Sequence, residues 1–184
     1  MSITNYRKSD ILAYGAAAQT YMSYNTEALV NTGDDIIDPT YSTYTDLSGL
    51  AAGFEGEASE DVYWVGAGLT LTNSVAMTFR FYTVDVEELV ITVHIGEEER
   101  TFSSFKPVER KEGFFELSID DISATQFDEP VTASFCLWEE DMGNTLSYSV
   151  NTYVCAKQND SNAALAALVK ALYHYGASAQ AYAE

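Results

Sequence analysis

Basic residues are scarce in this chain. Nine lysines and arginines stand against 28 aspartates and glutamates among 184 residues, a formal net charge of −19. Nucleic acid and anionic membrane surfaces are held through Lys/Arg patches, so this balance argues against both as partners. The plain consequence of the excess is solubility. Long hydrophobic runs are missing too: no stretch of about 18 apolar residues is present, so no membrane-inserted helix is expected. No leader pattern is visible at Met1-Ser-Ile-Thr-Asn-Tyr6, which is polar and runs into a helical pattern.

Chemistry is sparse for the same kind of reason. The two cysteines, Cys136 and Cys155, fall in predicted strands, and buried thiols rather than a disulfide framework are expected. Neither sits at a predicted helix N-terminus or beside a basic cluster that would make it a nucleophile. His94 and His174 are the only histidines and neither has a second at ligand spacing, which disfavours zinc or iron. No nucleophile elbow, P-loop or dinucleotide fingerprint occurs. A two-carboxylate hydrolase needs one particular pair, and no pair stands out among the acids. An enzyme is therefore not expected. Calcium is the one metal this composition suggests, because loops rich in carboxylates supply its six to eight oxygens. Asp34, Asp35 and Asp38 are the candidate ligands, with Asp120-Asp121, Asp128-Glu129 and Glu139-Glu140-Asp141 as lesser clusters. None matches an EF-hand loop, and no other cofactor is expected.

What is abundant is apolar and aromatic. Hydrophobic residues make up 47% of the chain, including 13 tyrosines and nine phenylalanines, enough for a sizeable core at this length. Residues 5–24 carry Ile11, Tyr14, Gly15, Ala18, Tyr21 and Met22 at helical spacing, and a short helix follows at Glu27–Val30 before Gly33. Residues 34–60 read as a long loop that holds at most one strand.

From 61 to 158 the period changes to two. Strands are predicted at 61–65, 69–71, 76–83, 89–95, 101–105, 113–119, 131–139 and 145–156. Turns are expected at Gly66-Ala-Gly68, Gly96-Glu97, 110–113 and 141–144. The last two strands pair as a hairpin. Residues 161–183 return to helix, capped by Asn159 or Ser161, with a stripe of Leu165, Leu168, Val169, Leu172, Tyr175, Gly176, Ala179, Tyr182 and Ala183. The expected fold is α+β: an antiparallel β-sandwich flanked by N- and C-terminal helices that pack together, one domain over 1–184.

Both terminal helices contain the same motif. Tyr14-Gly-Ala-Ala-Ala-Gln-Thr-Tyr21 and Tyr175-Gly-Ala-Ser-Ala-Gln-Ala-Tyr182 agree at six of eight positions. A glycine inside a helix costs about 1 kcal/mol against alanine, so something must offset it. Close approach of another element at Gly15 and Gly176, with the tyrosines covering the seam, is the expected reason.

Candidate binding residues are aromatic. Flat rings with neighbouring polar groups suit sugars. Trp138 falls on the Ser/Thr face of its predicted strand with Tyr153 on the matching face of the next. Tyr82 and Arg80 share a face, and Trp64 lies in the first strand. Coverage of these residues as core is the competing expectation.

The segment Ile11-Leu-Ala-Tyr-Gly-Ala-Ala-Ala-Gln-Thr-Tyr-Met-Ser-Tyr-Asn-Thr-Glu-Ala-Leu-Val30 opens the chain, and Leu168-Val-Lys-Ala-Leu-Tyr-His-Tyr-Gly-Ala-Ser-Ala-Gln-Ala-Tyr182 closes it. With Met77-Thr-Phe-Arg-Phe-Tyr82 and Leu146-Ser-Tyr-Ser-Val150 between them, the chain resembles a module of surface and secreted multidomain proteins of anaerobic Gram-positive gut bacteria. The resemblance implies an extracellular setting and neighbouring domains, and it carries no catalytic residues. A non-catalytic module that binds glycans at the cell surface is the leading expectation. Binding of a host protein such as an immunoglobulin, or a spacer role, is the alternative.

Overall fold

The computed structural model describes Tyr14, Gly15, Ala17, Ala18, Leu47 and residues 50–71 and 75–183. The first four are helical. The rest of the two helices expected in 1–33 lies outside the described residues, as do Asp34, Asp35 and Asp38. The chain divides into two compact units. One comprises Ala51–Ile122 and Glu129–Val150; the other takes in Ser123–Asp128 and Asn151–Glu184 with the N-terminal residues.

The first unit is an antiparallel sandwich of nine strands in two sheets. In chain order the strands are β1 (Gly53–Glu55), β2 (Val62–Leu71), β3 (Val75–Thr83), β4 (Leu89–Ile95), β5 (Glu98–Phe102), β6 (Lys106–Pro107), β7 (Phe114–Ile119), β8 (Val131–Leu137) and β9 (Glu140–Tyr148). One sheet has the order β1-β9-β8-β4-β5 and the other β2-β3-β7-β6. Alternation decides which residues face inward. Met77, Phe79 and Phe81 of β3 are fully buried, as are Leu89, Ile91 and Val93 of β4. Val131, Ala133, Phe135 and Leu137 of β8 are buried in the same way. Each fully buried large side chain contributes roughly 1.5–3 kcal/mol.

Trp64 joins this core. Its ring stacks on Phe135 with centroids 4.1 Å apart and meets Phe79 and Phe81 edge-on at 5.8 and 5.7 Å. The Trp64 backbone N–H donates to Asn144 Oδ1 on β9 at 3.2 Å, so a β2 donor that faces away from β3 is satisfied by the opposite sheet.

Several expected turns prove to be irregularities inside strands. Residues 61–65 and 69–71 form one strand, β2, with a register shift between Trp64 and Gly66 where a turn at Gly66–Gly68 was expected. The predicted turn at 141–144 lies within β9. There the register runs from Ala133↔Leu146 to Phe135↔Met142, and Gly143 fits because a Cβ would sit 2.7 Å from the Val62 carbonyl. The hairpin turns instead at Trp138-Glu139, both at positive φ (54° and 64°). The strand expected at 145–156 ends at Tyr148, and Val150–Lys157 is a helix, α1. Val150 and Val154 are both fully buried and stand four residues apart, one helical turn, so alternation and helical spacing both fit the segment. β1 is the one strand allowed for inside the 34–60 loop, and the short β6 lies beyond the expected strands. The strand expected at 101–105 runs instead from Glu98 directly after the Gly96-Glu97 turn.

The described residues of the second unit are mainly helical. Its main element, α2 (Ala163–Ala183), is capped by Asn162, not by Asn159 or Ser161. The Asn162 Oδ1 accepts from the N–H groups of Ala164 and Leu165 at 3.1 and 3.3 Å. Asp160 prepares the cap. Its carboxyl is held below the usual carboxylate range by the Asn162 N–H and by Lys157 Nζ, each at 3.0 Å. The expected stripe is buried at Leu165, Leu168, Val169, Leu172 and Ala179, and the buried face extends to His174 and Ser178, which the stripe left out.

A single 3-10 turn, Ala124–Gln126, packs on α2 behind a capping box of Ser123 and Gln126. Phe127 follows it and occupies the space over Gly176, where an added Cβ would sit 2.7 Å from the Phe127 ring. Gln180 Nε2 donates to the Thr125 carbonyl at 3.3 Å and to the Asp128 carboxylate. So Gly176 does lie in a close contact, but its neighbour is Phe127. At Gly15 an added Cβ meets nothing within 4 Å among the described residues. The tyrosines before these glycines do meet: Tyr14 and Tyr175 stack with centroids 5.3 Å apart and planes 2° from parallel. Burial, and then the neighbouring Tyr175, push the Tyr14 phenol above its ordinary value of 10.0.

Two outcomes follow. Gly176→Leu should lower stability by about 1–3 kcal/mol through overpacking. Gly15→Ala should leave stability unchanged or raise it by up to about 1 kcal/mol; paired thermal melts distinguish the two sites. The raised Tyr14 pKa means that ionisation opposes the folded state, so its effect is absent below pH 10 and stability falls as pH rises beyond that. A tyrosinate absorbance titration of wild type minus Tyr14→Phe should show one phenol ionising above the ordinary range.

Candidate functional site

The residues of β3 that alternate with its buried set point to the outer face of the four-stranded sheet. Antiparallel register then assembles rows across the strands. Tyr82 stands opposite Tyr63 of β2 and Phe114 of β7. The Tyr63 and Tyr82 rings stack at 5.1 Å, and Phe114 meets Tyr82 edge-on at 5.3 Å. Lys111 Nζ lies 5.6 Å from the Phe114 ring centroid. All three rings are half-buried. Gly113 makes the arrangement fit. It sits at φ +78°, and a Cβ there would fall 2.5 Å from the Tyr82 ring.

The next row along the strands is charged. Arg80 stands opposite Glu116, and Lys106 of β6 stands on the far side of Glu116. Arg80 Nε donates to Glu116 Oε1 at 2.7 Å, while the arginine side chain keeps 63% of its exposure. One row further, Thr78 faces Gly68 and Ser118. The Thr78 and Thr70 hydroxyls lie 3.1 Å apart, and Ser118 Oγ donates to Asp120 at 3.0 Å.

Because Gly66 and Gly68 carry no side chains, β2 leaves a trough beside this polar row. It has a volume of about 230 Å³ and is lined by Val65–Thr70, Thr78, Arg80 and Glu116. Among the described residues an added Cβ at Gly66 or Gly68 meets nothing within 4 Å, so packing against them does not require either glycine. The face thus joins an aromatic platform to a groove lined with hydroxyls and a salt-bridged Arg–Glu pair. Flat apolar ring faces beside directional donors and acceptors are the components of a small-ligand site.

Of the candidates read from the sequence, the structure brings Tyr82 and Arg80 together on this face. It removes Trp64, which is 4% exposed and belongs to the core. It also separates the proposed Trp138–Tyr153 pair: Tyr153 lies on α1, so the strand pairing that placed it beside Trp138 does not exist. Trp138 is 45% exposed at its turn and donates from Nε1 to Asp85 at 3.3 Å. Tyr63, Phe114, Glu116 and the glycine trough escaped the sequence reading. The signal was available in the alternation of β2 and β7, but only the register shows that these residues share a row.

Cys136 and Cys155 are free and half-buried rather than fully buried. Among the described residues no group of three or more His, Cys, Asp or Glu side chains is placed to hold a metal ion. No described helix is long and apolar enough to cross a membrane.

The two tryptophans should behave oppositely. Trp64→Ala should cost about 3–5 kcal/mol, whereas Trp138→Ala should leave the melting temperature close to wild type. Replacing Trp138-Glu139 by Asn-Gly relieves two positive-φ positions and should stabilise the protein by about 1 kcal/mol or more in denaturant titration.

Comparison of the chain with family models, with curated proteins and with solved structures returns no match.

Proposed function

We infer that this chain is a non-catalytic carbohydrate-binding module, and that the outer face of the four-stranded sheet is its binding surface. The observation that carries this reading is the contiguity of the Tyr63–Tyr82–Phe114 platform with the Arg80–Glu116 row and the trough beside it. Sugar rings present apolar C–H faces that cover aromatic rings, and equatorial hydroxyls that need donors and acceptors at the rim. Tyr82 and Tyr63 supply the former; Arg80, Glu116, Thr78 and Thr70 supply the latter. The carboxylate of Glu116 is held by the Arg80 guanidinium at 2.7 Å, a role suited to orienting a ligand. The motif-bearing helices and their resemblance to modules of bacterial surface proteins support an extracellular position at the cell surface, within a larger chain.

A second reading has its own observation. Trp138 and Val84 are 45% and 51% exposed, and the indole is tethered through Asp85 of the segment that contains Val84. An exposed tryptophan held in place is a typical anchor for protein contacts, and a host protein is the partner it would serve.

Gly68→Val places a side chain in the empty trough without a clash, and Tyr82→Ala removes the central ring. Each should retain the far-ultraviolet spectrum of the wild type. Gly68→Val should keep its melt, while Tyr82→Ala, which loses the Tyr63 and Phe114 contacts, should be less stable by about 1–2 kcal/mol yet stay folded at the assay temperature. Each should weaken binding to soluble polysaccharides by about tenfold or more in affinity electrophoresis, equivalent to about 1.4 kcal/mol. Unchanged binding in both variants excludes this face. Loss of binding in Trp138→Ala alone moves the site to the hairpin.

A further inference from the structure

We propose that the sheet face selects acidic sugars, with the carboxylate of a uronic acid residue seated on Arg80; the proposal rests on the carbohydrate reading above. Its first support is charge placement. The chain as a whole carries −19, yet the central row of this face reads Arg80, Glu116, Lys106 across β3, β7 and β6. Lys111 adds a third cation over Phe114. Glu116 is engaged by Arg80, and Asp120, past the end of β7, accepts from the Ser118 hydroxyl, while Glu109 and Glu112 flank Lys111 in its turn. In a protein this acidic, a row with two cations to one carboxylate beside a groove favours an anionic ligand at that row.

The second support is geometry. The bond to Glu116 uses the Nε of Arg80. It fixes the guanidinium on an exposed face, and among the described residues nothing accepts from its two terminal nitrogens. A planar fork with its outer edge open matches a carboxylate in bidentate fashion, which a sugar hydroxyl does not exploit. Tyr82 lies two residues from Arg80 on the same face, about 7 Å along the strand. A pyranose ring over the tyrosine can therefore be linked to a residue whose carboxylate meets the arginine.

The test uses the intact chain and pairs of polymers that differ only in charge: pectate, alginate and a glucuronate-bearing xylan, each beside its carboxyl-reduced form. Isothermal titration should show at least one acidic polymer bound about tenfold or more tighter than its reduced counterpart. The difference should shrink as salt is raised and vanish in Arg80→Gln, an exposed substitution whose fold is checked by its melt. Tyr82→Ala should weaken acidic and reduced forms alike. Equal binding of the acidic and reduced forms overturns acidic selection and leaves the carbohydrate reading standing. Retained selection in Arg80→Gln overturns the assignment to this residue. If wild type binds neither form of any polymer, the carbohydrate reading falls with it.

Discussion

Trp64 lies between the two sheets, stacked on Phe135 at 4.1 Å and edge-on to Phe79 and Phe81. Burying a ring of this size is among the largest single contributions a core residue makes, and it commits β2 to one orientation. With a side-chain period of two, the commitment reaches further than the core. Tyr63 must face out. The register of β2 on β3 sets it beside Tyr82, and the register of β3 on β7 sets Phe114 and Glu116 in the adjoining rows. The outer face is thus ordered by the inner one. The Trp64 backbone bond to Asn144 adds a polar tie between the sheets at the same point.

Two irregularities let this arrangement coexist with a continuous ladder. The shift after Trp64 admits one extra residue into β2 and begins the glycine-lined trough. The shift in β9 around Gly143 turns Asn144 inward, where it is 7% exposed and accepts the Trp64 N–H. Glycines do different work at each place. Gly143 and Gly113 make room for a neighbour that is already there, while Gly66 and Gly68 leave space that none of the described residues fills. That space borders the Arg80–Glu116 pair, and the proposed binding face rests on the two together.

The repeated helical motif has a divided role. The first tyrosine of each copy stacks on the other, Tyr14 on Tyr175. Its glycines are used differently among the described residues: Gly176 accommodates Phe127, and an added Cβ at Gly15 meets none of them within 4 Å. Identical motif residues are thus used for one shared contact and one private one.

The strength of alternation made much of the sandwich legible in the sequence. Strands β3, β4, β7 and β8 lie close to where period two places them, because β3, β4 and β8 bury one face completely and β7 most of one, and water penalises any other register. The same pattern put Arg80 and Tyr82 on one face. What residue order left open were the choices that depend on partners distant in the chain. Trp138-Glu139 turns the β8–β9 hairpin without turn residues, since pairing on either side outweighs the local backbone cost. Val150–Lys157 is helical although its alternation suits a strand, because Val150 and Val154 are buried four residues apart. Tyr63, Phe114 and Glu116 carry no local mark of a site. They form one only when three strands align in register, and that alignment is decided by how Trp64, Phe79, Phe81 and Phe135 pack between the sheets.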